Sequence, residues 1–127
     1  MIAIDTNVVV RILARDDPDQ SPRARALVEA NTVFVATTVF LETEWVLRGV
    51  YRMSRPVVLA RLRAFAGLPT VILEDPARVM QALNWTADGL DFADALHLAS
   101  AGACEGFFTF DRGLAKMAPA GLAVRAP

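Results

Sequence analysis

Short apolar runs rich in β-branched or aromatic residues recur along the chain at 1–4 (MIAI), 33–36 (VFVA), 70–73 (TVIL), 107–110 (FFTF) and 122–125 (LAVR). Between them lie stretches with helical length and period, at 6–14, 22–30, 38–52, 55–66, 76–87 and 91–104. Strands alternating with helices predict βαβ crossovers, and crossovers of that kind cover both faces of a parallel sheet. The fold class read from the pattern is therefore α/β, a single three-layer α/β/α domain over residues 1–127 with a mainly parallel central sheet. Pro22 after Ser21, Pro56 at the head of the next Arg-rich helix and Pro76 after Asp75 stand where helices begin. No repeat, low-complexity tract or Gly/Ser linker divides the chain. In open parallel sheets ligands bind beyond the carboxyl ends of the strands, and Asp5 and Asp111 both stand at such ends.

Composition changes the picture in three ways. With 127 residues, 54% of them hydrophobic, and a mean hydropathy of +0.37, the chain can bury one core and still leave apolar surface for a partner. No run approaches the roughly 18 apolar residues of a membrane span, and Asp5 and Arg11 interrupt the N-terminus where a signal peptide would be apolar, so a cytoplasmic protein with no membrane partner is expected. Cys104 is the only cysteine, which excludes an intrachain disulfide and a thiolate metal cage. The net charge of −1 hides an asymmetry: Trp45 to Leu73 holds five arginines (Arg48, Arg52, Arg55, Arg61, Arg63) and no acid, leaving −6 for the remainder. One region is thus suited to phosphates and another to gathering carboxylates, although an ordinary solvated helical hairpin has the same composition.

Four acids stand out. Asp5 and Asp111 each follow an apolar strand and precede a helix, where an N-cap and a ligand are both open readings. In TTVFLETEWVLRGV, Glu44, Arg48 and Arg52 fall at i, i+4 and i+8, a charged stripe expected in solvent. Glu42 lies about 200° further round, among Val39, Trp45, Val46 and Gly49, so it is expected on the apolar face and is the functional candidate of the two. In DFADALHLASA, Asp91 and Asp94 have the spacing of a capping box. Asp91 reads as the N-cap, whereas Asp94 shares a face with Leu98 and Ala101 and should point inward. His97 is expected to be packed or supporting. With one His and one Cys on the same helix, and neither GxxxxGK[ST] nor GxGxxG present, nucleophilic and phosphate-cradle chemistries lack their parts. The remaining acids suit a hard, oxygen-loving cation such as Mg²⁺ or Mn²⁺.

Taken in order, IDTNVVVRIL, TTVFLETEWVL, DFADALHLASA and FFTFDRGLAK resemble the PIN-domain nucleases, and among them the VapC toxins of bacterial toxin–antitoxin pairs. The resemblance runs over essentially the whole chain. It implies that Asp5, Glu42, Asp94 and Asp111 are the catalytic, metal-binding acids, with Thr6, Asn7, Asp91 and Thr109 supporting them. It also implies an endoribonuclease that uses Mg²⁺ or Mn²⁺, a cognate antitoxin and pairing into a homodimer. Arg112 and Lys116, i and i+4 beside Asp111, are candidate RNA-binding residues. Two other readings are open to the sequence: a PIN-fold RNA-binding module without catalysis, and an acid-lined phosphoacceptor signalling domain. The second lacks its marks, because Asp5 is followed by Thr-Asn and Lys116 by Met117.

Overall fold

A computed structural model describes all residues, 1–127. The chain divides into two compact units, Met1–Pro76 and Ala77–Pro127. In the first unit β1 (Ile2–Ala3), β2 (Val33–Val35) and β3 (Val71–Leu73) form one sheet in the order β1-β2-β3. Both pairings are parallel, with Val33 opposite Ile2 on one side and Val71 on the other. The crossovers are made by α1 (Thr6–Ala14) and α2 (Gln20–Ala30), and then by α3 (Thr37–Trp45), a π-helical turn (Val46–Val50) and α4 (Arg55–Ala66). Val33 and Val35 are fully buried in the middle strand, and Phe40 and Phe65 pack ring to ring at 6.1 Å. Burying a side chain of this size contributes roughly 1.5–3 kcal/mol.

Local chemistry explains where these elements start and stop. The Asp17 carboxylate accepts the backbone N–H groups of Asp19 (2.9 Å) and Gln20 (2.7 Å), so α2 begins two residues before the position predicted from Pro22. Those two bonds also hold the Asp17 carboxyl below the usual carboxylate range. Pro56 follows the first residue of α4 and Pro76 opens α5, where their missing N–H groups cost nothing.

The second unit holds α5 (Pro76–Ala87), which begins at the boundary, then α6 (Phe92–Ser100), α7 (Arg112–Met117), and a two-stranded parallel pairing of β4 (Phe107–Phe108) with β5 (Val124–Arg125). Gly89, at φ 121°, makes the turn that sets up Asp91 as the N-cap of α6. The α/β class and the parallel pairing agree with the sequence reading. Besides the earlier start of α2, two helices differ from it. The predicted 38–52 helix leaves α geometry after Trp45, and the predicted 91–104 helix ends at Ser100.

Candidate functional site

In the first unit Asp5 stands two residues beyond β1 as the N-cap of α1, and one carboxylate oxygen accepts the Thr6 N–H at 2.8 Å. Its side chain also lines a cavity of about 330 Å³ together with Glu42 from α3 and Thr6, Asn7 and Arg11 from α1. Thr6, Asn7, Val10 and Arg11 reach that cavity because they share one face of the helix that Asp5 starts. The Thr6 hydroxyl is buried and makes no hydrogen bond, so an unclaimed oxygen sits in the same cavity as the two acids. Glu74, at the end of β3, is also a strand-end acid. It is engaged structurally, accepting the Thr37 N–H at 2.9 Å to cap α3.

α3 corrects two expectations. Glu44 does not face solvent: it is 4% exposed, and its carboxylate takes the Arg48 Nε–H at 2.8 Å. Glu42 is not on a buried face but exposed along the cavity. The two glutamates do lie on different faces, and the i, i+4 ion pair is present. The inward face is Phe40, Thr43, Glu44 and Leu47, an i, i+3, i+4, i+7 set whose two polar members disguise it. Trp45 (56% exposed) and Val50 (61%) stand on the open side instead.

In the second unit Asp91 and Asp111 are both N-caps. Asp91 accepts the Asp94 N–H at 3.3 Å and Asp111 the Leu114 N–H at 3.0 Å. Thr109 fixes Asp111 from behind, its hydroxyl oxygen accepting the Asp111 N–H at 3.0 Å. Asp94 is half-buried, as its helical face predicted. Its carboxyl is raised above the usual value first by burial and then by the negative charges of Asp91 and Asp111, with His97 acting weakly the other way. His97 itself is exposed rather than packed. Arg112 and Lys116 are exposed on α7. The structure thus brings Asp5 together with Glu42, and Asp94 with Asp91 and Asp111, each within its own unit.

Among known families, residues 2–119 match the PIN domain. The chain belongs to the PIN-domain family. All four acids singled out from the sequence fall inside the span matched to the PIN domain. The crystal structure of VapC20 from Mycobacterium tuberculosis, a toxin that cleaves the sarcin–ricin loop, is similar over 93% of this chain and 95% of that one, at 20% identity and a TM-score of 0.47. No curated protein matches the chain. For this PIN domain, sequence reasoning missed two residues of the Asp5 cavity, Arg11 and Tyr51. Arg11 was legible, since beyond Thr6 the polar residues of α1 are only Asn7 and Arg11, spaced i and i+4. Tyr51 was not, because it is brought there by the π-helical turn that precedes it.

Proposed function

We propose that this chain is a metal-dependent endoribonuclease, one PIN-like domain over residues 1–127 acting as the toxin of a VapC-type toxin–antitoxin pair. In this reading it hydrolyses RNA phosphodiesters with water, leaving a 5′-phosphate and a 3′-hydroxyl. Asp5, Glu42, Asp94 and Asp111 hold Mg²⁺ or Mn²⁺, and Thr6, Asn7, Asp91 and Thr109 orient them or the waters around them. RNA, a cognate antitoxin and a second copy of the chain are the partners, and the cytoplasm is the location.

The observation that carries this reading is the crowding of Asp94. Burial, and after it the charges of Asp91 and Asp111, raise its pKa, and His97 is the one group among the charges acting on it that opposes them. Such an arrangement costs stability and becomes favourable when a cation is shared among the acids. The donor set fits the metal. All four ligands are hard oxygens, and no three His, Cys, Asp or Glu side chains are grouped as a ready-made cage. Mg²⁺ keeps several of its waters and is bound through one or two carboxylates together with substrate phosphates, so a sparse set of acids suits it.

When bound, the metal makes water a stronger nucleophile near neutral pH and offsets charge at the phosphate. The chain's own part is positional. Asp111 is held by its bond to the Leu114 N–H and by Thr109, and Asp5 by its bond to the Thr6 N–H. Arg112 and Lys116 supply positive charge for the RNA backbone. Calorimetric titration with Mn²⁺ tests the assignment. Wild type is expected to bind, and Glu42→Gln, Asp94→Asn and Asp111→Asn each to weaken binding. Equal binding by wild type and all three variants would overturn the ligand set, and absence of binding by wild type would favour the non-catalytic RNA-binding reading.

A further inference from the structure

Arg11 is the one cation lining the cavity of Asp5 and Glu42, yet it bonds neither acid. Its Nε–H goes to Gln20 Oε1 at 2.6 Å, and Nη1 goes to the Tyr51 hydroxyl at 3.0 Å and to Asp16 Oδ1 at 3.4 Å. The Tyr51 hydroxyl in turn donates to Asp16 Oδ2 at 2.8 Å. The guanidinium is therefore held from α1, the loop after it, α2 and the end of the π-helical turn. Nη2, with two N–H groups, makes no hydrogen bond. Arg11 and Asn7 also line a second cleft of about 660 Å³, which runs on to Gln20 and Arg23.

We propose that Arg11 is a substrate-phosphate contact, held by Tyr51, Asp16 and Gln20 so that Nη2 meets an RNA phosphate passing between the acid cavity and the cleft beside it. The assignment rests on the ribonuclease reading above. A guanidinium already held by three partners through Nε and Nη1 loses little further side-chain entropy when it binds an anion, and its planar fork suits phosphate oxygens. Tyr51, Asp16 and Gln20 are positioning residues for Arg11. An arginine present only to neutralise the acids would bond to Asp5 or Glu42, and this one does not.

The test is fluorescence anisotropy of a short, mixed-sequence, labelled single-stranded RNA in EDTA, from about 50 to about 300 mM NaCl. Each lost phosphate contact flattens the plot of log K against log salt by about 0.7 for a single strand. Arg11→Gln is expected to bind several-fold more weakly with a slope flatter by about that amount, and Arg11→Lys to keep the wild-type slope. Arg25→Gln, which removes an equal charge on α2 away from both the cavity and the cleft, is expected to match wild type. Tyr51→Phe leaves the charge and removes the brace, so affinity should fall with the slope unchanged; it also serves where Arg11→Gln does not fold. An unchanged slope in Arg11→Gln, an equal flattening in Arg25→Gln, or wild-type affinity in Tyr51→Phe would overturn the assignment. Wild-type protein that binds no RNA would instead overturn the functional reading on which it rests.

Discussion

At the scale of single residues, the two glutamates of α3 show how far helical phase carries an argument. A turn of about 100° per residue places them on different faces, as observed. Apolar neighbours do not mark the inner face here, because Thr43 and Glu44 occupy inward positions and Arg48 satisfies the buried carboxylate. The two variants therefore separate by kind of effect. Glu42→Gln is expected to abolish RNA cleavage while changing stability by less than about 0.5 kcal/mol, as for an exposed side chain. Glu44→Gln should destabilise by about 1–2 kcal/mol through its weakened bond to Arg48, with cleavage retained below the melting temperature. Thermal melts beside cleavage assays read both. Asp94 supplies a pH test. Its folded pKa is raised, so the folded chain holds more protons than the unfolded one, and stability falls as pH rises from the unfolded value of 3.8 through the folded one. In EDTA the stability of Asp94→Asn relative to wild type should therefore increase with pH across that window, and added Mn²⁺ should reverse the gain at neutral pH. A relative stability that decreases with pH would make Asp94 a helix-dipole residue instead, since an ionised acid in the first turn is favourable.

Elements were legible where apolar runs were bounded by turn or cap chemistry. The strands at 33–35 and 71–73 and the helices at 6–14, 55–66 and 76–87 fall where pattern, proline and capping residues agree. The π-helical turn was not legible, because one added residue per turn leaves no mark on hydrophobic spacing at that length, and such turns are frequent at functional sites. Here it precedes Tyr51 and so completes the brace on Arg11. Gly89 is the corresponding device before α6. Its φ of 121° strains any other residue, and an added Cβ would stand 2.8 Å from Met117 Cε. Gly89→Ala is expected to lower stability by at least about 1 kcal/mol, measured by denaturant unfolding, because Met117 must shift and the turn into Asp91 is strained. Stability equal to wild type would mean that the turn relaxes without that cost.

For the whole molecule, each compact unit carries two of the four acids: Asp5 and Glu42 in one, Asp94 and Asp111 in the other. Strand-end position singled out Asp5 and Asp111 in the sequence and helical phase Glu42 and Asp94, whereas the cavity shared by Asp5 and Glu42, and the charge coupling of Asp94 to Asp111, required three dimensions. The high mean hydropathy is matched by apolar side chains left in the open, with Phe110 84% exposed besides Trp45 and Val50. In the proposed homodimer, light scattering across micromolar concentrations should give twice the 13.8 kDa chain mass, and a strict monomer would refute pairing. Metal-dependent hydrolysis of RNA is tested most directly by end-group analysis of cleavage by the purified protein. Cleavage of single-stranded or structured RNA should require Mg²⁺ or Mn²⁺, stop with EDTA, resume when the metal is restored, and leave 5′-phosphate and 3′-hydroxyl ends. Cleavage that survives thorough chelation, or that leaves a 2′,3′-cyclic phosphate, would contradict it.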